Sequence, residues 1–197
     1  EISECLVGSE MCIRDSILMD KRMKVYLIRH TSVDVLPGTC YGQTDVPLKA
    51  TFEEEAAVCK SRIENLQFDK VYTSPLSRCT RLAAFCGYPG AERDDRLKEI
   101  NCGKWEMKRY DDISDPRLRE WYDDYLHVPA TGGESFMDLL RRVSSFLSEL
   151  KEKPYERVLI FAHGGVLISA QVYAGMIRPE QGFDAISPYG GMVTIDL

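Results

Sequence analysis

The 197-residue sequence has no surplus of positive charge: 25 lysines and arginines face 31 aspartates and glutamates, for a formal net charge of -6 and a pI near 5.2. Binders of nucleic acid or of anionic membrane surfaces normally present a basic face, so both partner classes are disfavoured. Any anion this chain binds must be held by local positive charge. Paired-cysteine signatures are missing too. Seven cysteines, an odd number without CxxC or Cys/His ligand spacing, read as reduced thiols of a cytoplasmic protein and not as a disulfide framework or a structural zinc site. The first 22 residues, EISECLVGSEMCIRDSILMDKR, lack the basic leader and uninterrupted apolar core of a secretory signal or membrane anchor. Within them CLVGSEMCIRDS resembles translated sequencing-adaptor sequence. The expectation is a non-native or disordered extension over 1–22, with the natural start at Met19 or Met23. No internal repeat, low-complexity tract or long linker divides the remainder. An apolar content of 44% suffices for one buried core, so 23–197 is read as a single domain.

What is present alternates between two periodicities. Lys24 to Arg29, KVYLIR, is rich in β-branched and aromatic residues, as expected of a buried strand that ends at His30. A polar loop leads to helical spacing over 49–66, with acids in the first turns. A second short strand is expected over 69–73, then a helix over 75–87 with Pro75 in its first turn and Gly87 at its end. Residues 95–103 form a strand or loop carrying Glu99. DPRLREWYDDYL and GESFMDLLRRVSSFLSELKEK read as helices, the second stopped by Pro154. RVLIFAHGG is a strong strand ending in His163, VLISAQVYAGMI continues as an apolar helix, and GMVTIDL closes the chain as a strand. The apolar stretch from Val158 to Ile177 approaches membrane-span length, but His163, Gln171 and several glycines interrupt it. A buried strand followed by a buried helix accounts for it better. Strands separated by helices predict an α/β fold with a mainly parallel central sheet flanked by helices.

In such sheets ligand sites gather where strands end and helices begin, because helix N-termini point backbone N–H groups there. Arg29 and His30, Thr73 and Ser74 with Arg78 one turn on, and His163 all stand at strand ends. Taken singly, each reads as a solvated or hydrogen-bonded residue. Taken together, two arginine forks and two imidazoles suit a tetrahedral dianion. The blocks LIRHTS, CYGQTDVPL, SPLSRCTRLA, LKEINCGKWE, GGES and FAHGGVL, in this order, resemble the histidine phosphatase superfamily, also called phosphoglycerate-mutase-like, over essentially the whole chain from Lys24. Within it the RHT start followed by PGTCYGQTDVPL is most similar to the alpha-ribazole phosphatases.

The resemblance implies that His30 is the nucleophile and is converted to a phosphohistidine. Arg29, Arg78 and His163 would hold the phosphoryl oxygens, and Glu99 would be the general acid and then the base for water. His30 must be neutral to attack, and nearby arginines favour that form. No metal or cofactor is expected, since these cations supply the field that Mg²⁺ supplies elsewhere. Thr31, Gln43, Thr44 and Gly164 are candidate substrate contacts, with Ser135 as a further hydrogen-bonding candidate. Glu106 is an exposed partner or a competing proton donor, and His127 reads as a loop residue. Cys40, Cys79 and Cys102 read as small packing residues.

Three positions depart from the superfamily pattern: Thr31 replaces the usual glycine after the nucleophile, KATFEEE replaces a TxxG block, and Met107 replaces the glycine after WE. The leading expectation is metal-independent hydrolysis of a small phosphorylated metabolite, with alpha-ribazole 5'-phosphate as one candidate. The rivals are phosphoglycerate-mutase-type phosphoryl transfer and a catalytically inactive phosphate-binding module. The chain lacks obvious insertions that would shield a phosphoenzyme from water, which favours hydrolysis. Neither nucleic acid nor membrane is expected as a partner, and oligomeric state stays open.

Overall fold

Strand β1, Lys24–Arg29, lies beside β6, Arg157–Ala162, in parallel, with Lys24 opposite Arg157 and Arg29 opposite Ala162. Its side chains alternate as strand geometry requires. Val25 and Leu27 face one apolar cluster, whereas Ile28 faces another. The computed structural model describes residues 22–197. The extension expected over 1–22 and the start at Met19 fall outside the described residues, Arg22 apart.

The central sheet has the order β4-β3-β6-β1-β7, where β3 is Lys70–Thr73, β4 is Glu92–Arg93 and β7 is Met192–Asp196. All neighbours are parallel except β7, which runs antiparallel to β1. The α/β expectation of a mainly parallel sheet is therefore correct. Helices α1, Phe52–Ser61, and α2, Ser77–Phe85, cover one face through Ala56, Cys59, Cys79 and Leu82. The other face is covered by α4, Phe136–Lys151, and α5, Gly164–Tyr173. In α4 the buried Leu139, Val143, Phe146, Leu147 and Leu150 recur at helical spacing and meet Val158 and Ile160 of β6. A short helix α3, Arg117–Asp123, and a two-stranded ribbon of β2, Thr39–Cys40, and β5, Lys108–Arg109, sit over the carboxyl ends of the sheet strands.

Several boundaries differ from the sequence reading. Helix α2 starts at Ser77, not Pro75, because Asp45 caps it from 32 residues away, its Oδ1 accepting from the Ser77 N–H at 2.9 Å and the Ser77 hydroxyl at 2.8 Å. Asp69 lies outside β3, and its carboxylate accepts from the Glu156 and Arg157 N–H groups. Ser135 caps α4 in a reciprocal box with Asp138, so its hydroxyl serves the helix. Met107 has φ 61°, and it is the only non-glycine in the left-handed region among the described residues. That conformation costs a side-chain-bearing residue about 1–2 kcal/mol, which gives a backbone reason for the glycine usual at this position.

Candidate active site

Parallel register brings the strand ends together. With Arg29 opposite Ala162 and Thr73 opposite Phe161, the next residues His30, His163 and Ser74 emerge at one edge of the sheet. The His30 N–H donates to the Ala162 carbonyl at 3.0 Å, and the Ser74 N–H to the Phe161 carbonyl at 2.9 Å. The two imidazole rings lie 5.2 Å apart between centroids, at an angle of 64°.

His30 is buried, and its Nδ1 lies 2.8 Å from the Thr31 carbonyl. A carbonyl only accepts, so Nδ1 carries the proton and Nε2 keeps its lone pair. Burial, then the positive charge of Arg78, pull the His30 pKa down to about 3, and Arg29 acts in the same direction. The neutral form expected for a nucleophile is therefore present, although burial and not the arginines is the leading cause. His163 is also buried. Its Nδ1 accepts from Arg78 Nε at 3.3 Å, so Nε2 bears the proton and donates to the Ser74 hydroxyl at 2.7 Å. Desolvation and Arg78 hold its pKa well below the usual histidine value.

Arg78 is fully buried at the start of α2. Besides His163 it donates to the Gly42 carbonyl at 2.6 Å and the Thr44 carbonyl at 2.9 Å, which ties the 42–44 loop to the site. Arg29 donates from Nη1 to the Ser187 carbonyl at 2.5 Å and lies over the Tyr189 ring, with Cζ 4.2 Å from its centroid. Arg29 Nε and the Thr31 hydroxyl are the buried side-chain polar atoms without a partner among the described residues. Both flank His30 in sequence.

Glu99 approaches from the loop after Leu97. Its Oε1 accepts from the Ile100 N–H at 2.9 Å, and its Oε2 from the Gly165 N–H at 3.3 Å, in the first turn of α5. A Cβ at 165 would stand 2.5 Å from Glu99 Oε1 and 2.7 Å from Leu139 Cδ2, so any larger residue there would displace the carboxylate. Gly164 opens the same helix and packs against the Arg29 guanidinium. Glu106 accepts from the N–H groups of Gln43, Thr44 and Cys102 and from the Thr44 hydroxyl. It therefore holds loops, and the Thr44 hydroxyl is committed to it. Gln43 donates from its side chain to the Glu99 carbonyl. His127 stands exposed beside Asp124.

Sequence reasoning missed Tyr41 and Tyr189, whose rings flank His30 and whose hydroxyls meet at 3.1 Å. It also missed Arg142 of α4, which donates to the carbonyls of Arg96, Lys98 and Glu99 and to Glu134. This strut sets the height of the Glu99 loop. One cavity of about 220 Å³ is lined by Arg29, Glu99, Gly164 and Gly165 together with an aromatic wall that includes Trp121, Tyr125 and Phe183. Among the described residues no group of three or more His, Cys, Asp or Glu side chains is placed to hold a metal ion.

The pKa of His30 makes stability depend on pH. Between about pH 6.5 and the folded value of about 3, the unfolded chain takes up a proton that the folded one refuses. The contribution is complete above 6.5 and is lost as pH falls through that window, by about 1.4 kcal/mol per pH unit for His30 alone. His163 acts in the same direction. The urea midpoint is therefore expected to fall steeply from about pH 7 to about pH 5, and less steeply in His30→Gln. An unchanged midpoint across that range would contradict the buried neutral imidazoles.

The family profile of the histidine phosphatase superfamily (branch 1) matches residues 25–196. The chain is 31% identical over 156 residues to the uncharacterized phosphatase PhoE of Bacillus subtilis, covering 73% of this chain and 72% of that one. It is 30% identical over 160 residues to the "probable phosphoglycerate mutase GpmB" of Escherichia fergusonii, covering 75% and 74%. The crystal structure of the alpha-ribazole phosphatase from Shigella flexneri superposes with a TM-score of 0.81 at 27% identity, over 89% of this chain and 91% of that chain.

Proposed function

The chain belongs to the histidine phosphatase superfamily, and from that premise we propose that residues 23–197 form a single domain that hydrolyses a small phosphomonoester without a metal. The observation that carries this reading is His30: a neutral imidazole with a free Nε2, buried beside Arg78 and flanked by two unpartnered polar atoms. A buried donor left without a partner costs about 1–3 kcal/mol, and Arg29 Nε and the Thr31 hydroxyl have none among the described residues. Phosphoryl oxygens bound between them remove that cost.

In the proposed reaction, His30 Nε2 attacks phosphorus, the P–O bond to the leaving alcohol breaks, and Glu99 gives the departing oxygen a proton. The N–P bond of the phosphohistidine is then broken by water, which Glu99 deprotonates, so that phosphate leaves and His30 returns to its neutral form. Arg29, Arg78 and the N-terminus of α5 at Gly164 oppose the charge on the phosphoryl oxygens. His163 orients Arg78 and exchanges its Ser74 partner for a phosphoryl oxygen. Gln43 and Thr44 form the rim on the substrate side.

Two finer assignments belong to the same proposal. Alpha-ribazole 5'-phosphate, a step in cobalamin nucleotide-loop assembly, is the candidate substrate supported by likeness to the Shigella flexneri enzyme. The cytoplasm is the proposed location, supported by the free buried cysteines at 40, 59, 79, 86 and 102. Among the described residues no helix is long and apolar enough to cross a membrane. Hydrolysis of para-nitrophenyl phosphate in the presence of chelator is the test. Turnover insensitive to chelator is expected; none at all supports a binding module, and chelator-sensitive turnover refutes the metal-free mechanism.

A further inference from the structure

To attack, His30 must meet phosphorus at about 3–3.5 Å, yet only 1% of its surface is exposed, and Arg78 and His163 are fully buried. Some element over the nucleophile therefore has to move before a phosphoester reaches Nε2. Two tyrosines stand there. The Tyr41 ring lies 6.3 Å from the imidazole and the Tyr189 ring 5.5 Å, one coming from the loop after β2 and the other from the segment before β7. Each ring also backs one guanidinium. Arg78 Cζ is 5.2 Å from the centroid of Tyr41, and Arg29 Cζ is 4.2 Å from that of Tyr189. The two hydroxyls meet at 3.1 Å at the surface, which makes the pair a bridge across His30.

The walls of the site differ in how firmly they are held. Arg142 grips the Glu99 segment through the carbonyls of Arg96, Lys98 and Glu99. Arg78 grips the loop that carries Tyr41 through the Gly42 and Thr44 carbonyls. The backbone beside Tyr189 is fixed as well, since the Gly190 N–H donates to the His30 carbonyl at 3.1 Å and the Gly190 carbonyl accepts from Arg62 Nη1 at 2.5 Å. The Tyr189 side chain is held less. It is 40% exposed, and the Tyr41 hydroxyl and the face of Arg29 keep it in place.

We infer that Tyr41 and Tyr189 form a lid over the nucleophile, shut in the resting enzyme by the bond between their hydroxyls and opened by outward rotation of the Tyr189 side chain. The role of His30 rests on the phosphatase reading; the lid adds the residues that control access to it. An enzyme that is shut most of the time captures substrate with an affinity reduced by its open fraction. Replacing either tyrosine by phenylalanine deletes the bond and leaves both rings over His30 and against their arginines. Loss of one such bond raises the open fraction by about 2- to 10-fold.

Carbethoxylation by diethyl pyrocarbonate, mapped to peptides, reads the opening directly. The reagent acylates a free imidazole nitrogen, and the exposed His127 supplies a reference rate within each sample. Relative to His127, His30 should react about 2- to 10-fold faster in Tyr41→Phe and in Tyr189→Phe than in the native protein. The double variant should match the singles, because the same bond is lost in all three. His163 should stay unlabelled, as Arg78 and Ser74 engage both of its nitrogens. In the single variants kcat/KM for para-nitrophenyl phosphate should rise by the same factor as the labelling of His30. Unchanged labelling of His30 in both single variants would overturn the lid, and so would single effects that multiply in the double variant. A kcat/KM that stays level or falls contradicts it equally, as does a His163 that accelerates in step with His30, which marks general loosening of the site. Failure to hydrolyse any phosphomonoester would overturn the phosphatase reading, while the labelling of His30 still decides whether the tyrosines cover it.

Discussion

His30→Ala is expected to lower kcat for para-nitrophenyl phosphate by at least about 10⁴-fold, because it removes the atom proposed to form the covalent intermediate. The loss should not come from unfolding. The imidazole contributes one hydrogen bond to its own neighbour's carbonyl, and its removal from a buried site also removes the acid penalty described above. The variant should therefore bind inorganic phosphate with Arg29 and Arg78 still in place, and hold its urea midpoint better than the native protein below about pH 6. Residual activity within about 100-fold of native would show that water attacks directly, or that another group is the nucleophile.

The second large effect is expected at Arg78, where one fully buried guanidinium performs three tasks. It fixes the 42–44 loop through the Gly42 and Thr44 carbonyls, orients His163 through Nδ1, and is the leading charge that keeps His30 neutral. Arg78→Met should lower kcat by roughly 10²–10³-fold, the usual loss when a donor to transition-state charge is removed. It should also move the acidic limb of the kcat/KM profile to higher pH, since without that charge His30 accepts a proton more readily. Arg78→Lys keeps the charge but cannot reach three diverging acceptors. Its acidic limb should stay near that of the native enzyme while the rate falls. An Arg78→Met enzyme within about tenfold of native, with an unshifted profile, would remove Arg78 from the mechanism.

How much of this was legible depends on the range of the interaction involved. The apolar runs of β1 and β6 and the polar residues that end them follow from local patterning, and parallel register then necessarily placed His30 beside His163. The spacing of α4 likewise announced its buried stripe. The start of α2 was not legible, because its cap is supplied by Asp45 from a distant loop. The ribbon of β2 and β5 has two residues per strand and no periodicity to detect. Glu106 read as an exposed partner or a competing proton donor, and Arg142 had no distinguishing local signal. Their roles come from loops that fold back onto them, Glu106 receiving Thr44 and Arg142 reaching the Glu99 carbonyl. The aromatic wall had no sequence signature either, since Trp121, Tyr125 and Phe183 meet only when two segments pack together.

The most direct test of the central claim is a rapid acid-free quench of the enzyme turning over a radiolabelled phosphomonoester, followed by peptide mapping of the bound label under alkaline conditions. An acid-labile phosphoryl group on the peptide containing His30, absent from His30→Ala, is the result expected of a neutral, buried nucleophile at the end of β1. Label on His163 or on a serine, or label that persists in His30→Ala, would contradict it.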